Sequence, residues 1–303
     1  MGAGFSRQYS SKVDKIGPAA SKPPPGLADL PESCVALILS FLDPCDVCGL
    51  AVLSQRFRQA SLADTVWESK LPPNYKILVK KLFAADDQHQ TSGDQSTETS
   101  NFTKKEIYAR LCLAHRFAGD TMEVWMKKNG GGICVAISWK GLKITGISDR
   151  RYWNYISTDE SRFKTVAYLQ QIWWVEVEGK LELEFPAGTY GLFFRMQLGR
   201  TSKRLGRRAC NLDGVHGWNV KPVRFQLSTS NGQQATAHHY LKEPAAPGEW
   251  THYHVGDFVV DHTDACTPTK LNFSMTQIDC THTKGGLCLD SVFVYPRKLG
   301  ERI

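Results

Sequence analysis

Three neighbouring residues in the middle of the chain, Asp149, Tyr152 and Trp153, carry groups that can bind a sugar ring. A flat aromatic side chain can stack on the apolar side of a pyranose, and a carboxylate can accept hydrogen bonds from its hydroxyl groups. The three residues lie in the turn-like segment "ISDRRYWNY", so one loop could present all of them. Aromatic side chains that anchor a loop or enter the core fit the same pattern, because tryptophan is often largely buried. The residues alone leave both interpretations open.

Other candidate chemistry is weaker. Six histidines could be metal ligands, but they are spread over different segments, which favours exposed or hydrogen-bonded histidines over a metal site. We find no nucleophile elbow and no zinc protease motif, and the glycine turn in "KKNGGGICV" lacks the Lys-Ser/Thr of a phosphate-binding loop. We therefore predict no enzyme activity, no metal and no cofactor. The histidines are His238, His239, His252, His254, His262 and His282.

Two short motifs concern partners. The start "MGAGFS" places Gly2 and Ser6 in the N-myristoylation pattern, and a single acyl chain would give only weak membrane attachment.

A basic segment supplies much of the net charge of +7. It is typical of a solvated loop, and the alternative is a phosphate-contacting or nuclear-import patch. We expect no nucleic-acid binding. The basic residues are Arg200, Lys203, Arg204, Arg207 and Arg208.

The elements that would position these residues change character along the chain. From about residue 120, apolar residues follow a period of two, and Gly, Pro, Asn and Asp punctuate the runs. This pattern predicts antiparallel strands in a jelly-roll-like β-sandwich. Trp173 and Trp174 are adjacent on one predicted strand, so their side chains should point to opposite faces and at least one should be core. The alternating apolar residues are Leu192, Phe194, Met196 and Leu198 in one run and Leu271, Phe273 and Met275 in another.

Before the strands, residues 27–72 predict three short helices with more apolar surface than they can hide from water among themselves. Asp29 is the expected cap of the first helix, and Ser54 that of the third. The surplus apolar surface requires a partner, which is either the rest of this chain or another protein. The apolar face of the first helix is Val35, Ile38, Leu39 and Leu42.

The whole chain of 303 residues is thus predicted to be an α+β protein. A Ser-, Lys- and Pro-rich arm over 1–26 should be disordered, and so should the loop 86–101, which has no large apolar side chain. The segment 27–72 is the first folded unit, 73–119 is a helical linker, and 120–298 is the β domain. No apolar run reaches the length that a transmembrane helix needs.

A helix over 103–117 is predicted within the linker. Thr103 and Glu106 have the spacing of a capping box, and Ile107 and Leu111 continue along one face. We expect this helix to bridge the two halves of the chain.

The segment from Leu30 to Pro72 closely resembles an F-box, on the fixed spacings of "LP", "IL", "LDP", "LSQRFR" and "VWESKLP". The resemblance implies docking onto the Skp-type adaptor of a cullin–RING ubiquitin ligase. The alternative is that these residues pack on the 103–117 helix or the β domain, which is expected above all for Trp67. The family's adaptor-facing positions correspond to Leu30, Pro31, Ile38, Leu39, Leu42, Leu50, Leu53 and Phe57.

The second half resembles the phloem protein 2 lectin-like domain of plants in "LKITGISDRRYWNY", "AYLQQIWWVEVEGKLEL", "PAGTYGLFFRMQL", "PGEWTHYHVGDF" and "KGGLCLDSVFVYP". The resemblance implies a β-sandwich that binds N-acetylglucosamine oligomers or N-glycan cores. Trp153 matches a stacking tryptophan of these lectins, and Asp149 and Tyr152 lie beside it. Gly146 stands where the lectins carry a second tryptophan, which is a departure from their pattern.

Together the two resemblances predict a plant F-box protein of the phloem protein 2-like group. Its expected function is that of a substrate-recognition subunit of a Skp–cullin–F-box ligase, with the lectin-like domain presenting a glycoprotein or protein target. The alternative is a carbohydrate-binding lectin without a ligase role. Nine cysteines and no export signal favour the cytoplasm or the nucleus, where thiols stay reduced.

Overall fold

The structure is a computed structural model that describes residues 30–86, 102–128, 130–204, 207–241, 249–263 and 267–297. In these residues six helices precede the strands. The helices are α1 (Glu32–Ser40), α2 (Pro44–Leu53), α3 (Gln55–Ala60), α4 (Asp64–Glu68), α5 (Tyr75–Asp86) and α6 (Lys104–Leu111). None of the described helices is long and apolar enough to cross a membrane.

Fifteen strands follow in the described residues, with one 3-10 helix, Trp139–Gly141, between β3 and β4. They are β1 (His115–Phe117), β2 (Met122–Met126), β3 (Ile133–Ser138), β4 (Lys143–Ile144), β5 (Trp153–Ser157), β6 (Thr165–Leu169), β7 (Val175–Leu183), β8 (Gly188–Leu198), β9 (Arg200–Arg204), β10 (Arg207–Asn211), β11 (Val223–Thr229), β12 (Gln234–His239), β13 (Thr251–Val260), β14 (Thr269–Gln277) and β15 (Leu287–Arg297). The predicted order of a helical part followed by a mostly antiparallel β domain is confirmed.

Three helices were predicted in the first segment, and the structure has four, because a further helix begins at Asp64. The predicted cap of α3 is correct: the Ser54 hydroxyl accepts a hydrogen bond from the Phe57 amide at 3.2 Å. The predicted cap of α1 is wrong. Pro31 is the N-cap, since its carbonyl accepts the Val35 amide at 3.1 Å, and Asp29 lies outside the described residues.

The capping box of α6 is confirmed, with Thr103 and Glu106 bonding to each other's backbone amides. The helix ends at Leu111 and is therefore shorter than the predicted helix over 103–117. The chain then forms β1, which pairs with β2 after a tight turn in which Ala118, Gly119 and Asp120 all have positive φ angles. Such a turn closes a hairpin, so strand pairing replaces the last part of the helix that was predicted over 103–117.

The helices pack against one another and against the β domain. Trp67 of α4 is buried with its ring centroid 5.2 Å from that of Tyr108 on α6, as the alternative reading of this residue predicted. The Tyr108 hydroxyl donates to the Lys128 carbonyl. From α5, the Lys81 ammonium lies 2.5 Å from the carboxylate of Glu184, which follows β7. These contacts join the helical part directly to the strands.

Two large sheets and a hairpin make up the β domain, and every pairing within them is antiparallel. The eight-stranded sheet runs β1-β2-β3-β15-β6-β5, with β8 paired to β15 and β13 paired to β8. The five-stranded sheet runs β12-β11-β14-β7-β4, and β9 pairs with β10 in the separate hairpin. The central strand β15 pairs with three others, which accounts for its nearly continuous burial.

The alternating apolar residues of the two predicted strands are all buried. The inward side chains of β8 and β14 are buried together with those of the neighbouring strands. Phe194 of the large sheet has its ring centroid 5.4 Å from Phe225 and 6.1 Å from Phe273 of the small sheet. The inner faces of the two sheets therefore share one hydrophobic core.

One strand assignment was wrong. Trp173 and Trp174 lie in a bend between β6 and β7, not on a strand, and both are exposed, at 51% and 44%. The strand begins only at Val175, so the rule that neighbours point to opposite faces does not apply to them. The predicted disordered arm 1–26 and nearly all of the loop 86–101 lie outside the described residues, and Asp86 is the last residue of α5.

Candidate docking face and candidate ligand site

Helix α1 has two apolar faces instead of one. Its inward face carries Val35 and Leu39, which are buried in the core. Its other side carries Leu37, Ile38 and Phe41, which are exposed at 62%, 40% and 82%. Positions 37, 38 and 41 lie on one side of an α-helix and 35 and 39 on the opposite side, since each residue turns the helix by about 100°. The outward side is an unpartnered apolar surface, which we term the α1 face.

The end of α2 adds exposed apolar side chains. Val52 is 80% exposed and Leu53 is 73% exposed. They stay in solvent because α2 buries Pro44 and Val47 against the core instead. Large apolar side chains left in water on α1 and α2 are candidates for contact with another protein.

The eight predicted adaptor-facing residues divide into three groups. Pro31, Ile38 and Leu53 are exposed. Leu39 is completely buried, so its side chain is not available to a partner in this structure, and that assignment is corrected. The remaining four are partly buried and pack against the core: Leu30, Leu42, Leu50 and Phe57.

Three exposed apolar residues of α1 and α2 were missed, namely Leu37, Phe41 and Val52. The signal was present, because "VALILSF" is apolar at nearly every position and cannot be satisfied by one buried face. The sequence reasoning also missed Cys45 and Cys48, an exposed Cys-x-x-Cys pair in the first turns of α2. No group of three or more metal-ligating side chains comes together in the part of the chain that the structure describes.

In the β domain, the predicted sugar-binding segment forms a compact turn between β4 and β5. The Asp149 carboxylate accepts two hydrogen bonds from the Arg151 guanidinium, at 2.7 and 3.1 Å, and one from the Arg151 amide at 2.9 Å. These hydrogen bonds hold the pKa of Asp149 below its ordinary value. The carboxylate is therefore ionised but largely engaged within its own loop.

Trp153 is buried, with no exposed ring face. Its indole nitrogen donates to the Thr145 carbonyl at 3.0 Å, which anchors the start of the same turn. The ring thus holds the loop to the core and cannot stack on a sugar, which corrects the role that the resemblance implied. Tyr152 is partly buried beside it and packs against the core.

Gly146 is in the left-handed region, with φ at +72°. A Cβ added there would lie 3.0 Å from Cδ2 of Tyr152. A tryptophan at this position would therefore disturb the turn in addition to adding an aromatic ring.

We expect Gly146→Ala to destabilise the protein by about 1–2 kcal/mol from backbone strain alone, and further because Tyr152 must move. The matched control is Gly119→Ala. Gly119 has a similar φ of +64° but no atom within 4 Å of the added Cβ. Chemical denaturation of both variants measures the difference, and equal destabilisation would show that Tyr152 does not crowd position 146.

Two other predicted motifs are only partly visible. The basic segment forms the β9–β10 hairpin, in which Arg204 faces Arg207 and Lys203 faces Arg208. It is therefore a two-stranded ribbon and not a loop between strands. Gly2, the predicted lipidation site, lies outside the described residues.

Comparison with known proteins matches both halves. The family model described as "Phloem protein 2" matches residues 132–296, and the F-box domain model matches residues 27–69. F-box protein PP2-A13 of Arabidopsis thaliana is 55% identical over 277 residues, which cover 91% of this chain and 90% of that protein. F-box protein PP2-A11 of the same plant is 48% identical over 303 residues, covering 100% and 99%.

Among solved structures, a family 35 carbohydrate binding module from Clostridium thermocellum covers 54% of this chain and 98% of its own. Its sequence identity is 13% and its TM-score is 0.33. This similarity is too low to bear on function.

Proposed function

This chain belongs to the F-box proteins that carry a phloem protein 2 domain, and on that basis we propose that it is the substrate-recognition subunit of a Skp–cullin–F-box ubiquitin ligase. The α1 face is the observation that carries this proposal. Leu37, Ile38 and Phe41 remain in solvent although the opposite face of the same helix is fully packed. An apolar surface that the folded chain leaves uncovered fits a stable protein partner, here the Skp-type adaptor.

In this proposal the chain performs no chemistry. It holds a target near the charged ubiquitin enzyme and so raises the effective concentration of the target's lysines. The contacts of Lys81 on α5 with Glu184 and of Tyr108 on α6 with Lys128 join the helical part of the chain to the β domain. A target bound by the β domain would thus be held close to the adaptor without a long flexible tether.

For the β domain we propose a jelly-roll-like sandwich that recognises a glycan on a target glycoprotein. The shared core of the two sheets supports the sandwich arrangement. Direct recognition of a protein target is the second candidate, and a lectin without a ligase role is the third. The eight cysteines in the described residues carry no disulfide, which agrees with a cytoplasmic or nuclear location.

Co-expression of the whole chain with a Skp-type adaptor tests the ligase role. We expect a stable one-to-one complex that survives gel filtration and that, with a cullin–RING core, supports ubiquitin transfer to a bound target. If the folded chain elutes alone at micromolar concentrations of both proteins, the ligase proposal is wrong and the lectin alternative gains support. A glycan array probed with the same protein separates recognition through sugar from recognition of a protein surface.

A further inference from the structure

The bend between β6 and β7 presents two adjacent indole rings to solvent. Trp173 is 51% exposed and Trp174 is 44% exposed. Neither ring has an aromatic or cationic side chain stacked on it among the described residues. Tyr155, by contrast, stacks 4.7 Å from the Trp139 ring, and the Arg150 guanidinium lies 4.0 Å from its centroid. The two bend tryptophans are thus open to a ligand in a way that Tyr155 is not.

A buried lysine holds this bend in place. Lys284, in the loop between β14 and β15, has no exposed surface. Its ammonium donates to the Trp173 carbonyl at 2.6 Å, to the His282 carbonyl at 3.2 Å and to the Asp279 carbonyl. The backbones of Ile172 and Lys284 also exchange two hydrogen bonds, at 2.8 and 2.9 Å. Burial lowers the pKa of this lysine.

A third loop is tied to the same point. The Trp218 indole donates to the Gly285 carbonyl at 2.7 Å, and a His282 ring nitrogen lies 3.0 Å from the Gly217 carbonyl. Three separate loops are therefore locked around Lys284 by side-chain to backbone hydrogen bonds. A surface that is fixed before the ligand arrives loses less conformational entropy on binding.

Asp279 lies on the loop that Lys284 ties to the bend, and its carboxylate is a hydrogen-bond acceptor of the kind that sugar hydroxyls need. The Asp279 carboxylate is held by the Thr281 amide at 2.8 Å, and this hydrogen bonding lowers the pKa of Asp279, so the group is an ionised acceptor at neutral pH. Unlike Asp149, it has no arginine paired with it in the described residues. Exposed aromatic rings and an ionised acceptor, on two loops that the same buried lysine holds together, are the kinds of group that a pyranose ring requires.

We propose that Trp173 and Trp174 form the stacking platform for an oligosaccharide in the β domain, with Asp279 accepting its hydroxyl groups and Lys284 acting as the positioning residue. This inference rests on the proposed glycan recognition and assigns it to the β6–β7 bend instead of to Trp153. The occupant is a short chain of neutral pyranoses, whose apolar ring faces lie against the two indoles.

The test titrates the full-length protein with an N-acetylglucosamine trimer and with the best glycan found on an N-glycan array. Two variants are titrated in the same way. One is the double variant Trp173→Ala, Trp174→Ala, and the other is the single variant Lys284→Met. Tyr240→Ala is the matched control, since Tyr240 is an aromatic residue of similar exposure, 49%, elsewhere on the domain. We expect about a tenfold or greater loss of affinity in the double variant with an unchanged melting temperature, and no loss in the control.

Interpreting Lys284→Met requires a second measurement, because this substitution removes a buried ammonium group that donates hydrogen bonds to three carbonyls. Quenching of tryptophan fluorescence by the glycan reports on the platform itself, and we expect it to be lost in Lys284→Met and largely restored in Lys284→Arg. If Lys284→Met binds and quenches like the wild type, the positioning role is wrong.

The remaining outcomes separate this inference from the proposed function. If the wild type binds a glycan and the double tryptophan variant binds it equally well, the platform lies elsewhere while glycan recognition stands. If the wild type binds no glycan on the array, the proposed glycan recognition and the tryptophan platform are both wrong. If the double variant instead loses a co-purifying protein target, the bend contacts protein and the sugar assignment is overturned.

Discussion

Replacing Leu37 and Phe41 together by serine is expected to abolish co-purification with a Skp-type adaptor and leave the fold intact. Both side chains are mostly in solvent, at 62% and 82% exposed, so their removal takes little from the core. Apolar anchors at the centre of an interface contribute on the order of 2 kcal/mol each. That corresponds to about a thirty-fold loss of affinity per residue. Surface plasmon resonance with immobilised adaptor measures this loss of affinity.

Leu113→Ser is the matched control for this surface. Leu113 is 62% exposed, like Leu37, but lies just beyond the end of α6 and not on α1 or α2. It should change neither adaptor affinity nor melting temperature. Leu39 is unsuitable as a probe because its side chain is completely buried. Truncating it to alanine would lower the folding stability by about 2–5 kcal/mol. Full adaptor affinity in the folded Leu37→Ser, Phe41→Ser variant would rule out the α1 face as the docking surface.

Trp153→Ala should lower the stability of the β domain by about 3–5 kcal/mol, the usual cost of truncating a large buried aromatic side chain. The ring is fully buried, and its indole nitrogen is bonded to the Thr145 carbonyl. Loss of the ring therefore leaves both a cavity and an unpaired buried acceptor. Thermal and urea denaturation of the full chain measure the change.

Trp173→Ala provides the comparison for Trp153→Ala, since its ring is half in solvent. We expect its unfolding free energy to stay close to that of the wild type. A melting temperature of Trp153→Ala equal to that of the wild type would mean that the ring is not core, and would return Trp153 to the candidate sugar-binding residues.

Local sequence was sufficient where the determining interaction is itself local. The Ser54 cap and the Thr103–Glu106 capping box are contacts between residues three apart, so their spacing predicts them directly. The alternation in β14 also predicts which of its side chains are buried, because a pleated strand has only two faces. In β8 the residues between the alternating positions, such as Phe193, are buried as well. The F-box and phloem protein 2 resemblances rest on such local patterns and were confirmed.

Tertiary structure decided which of several equivalent apolar residues are buried. In α1 both faces are apolar, and only packing against α3 and α4 determined that Leu39 turns inward while Phe41 stays in water. In the β domain, Trp153 and Trp173 are the same residue type in similar turn-rich surroundings. The Trp153 ring is buried, and its indole nitrogen donates to the Thr145 carbonyl. The Trp173 ring is half in solvent, on a bend whose backbone carbonyl is bonded to Lys284, a residue 111 positions away in the chain. At these positions burial depends on how the elements pack in three dimensions, which the spacing of apolar residues does not specify.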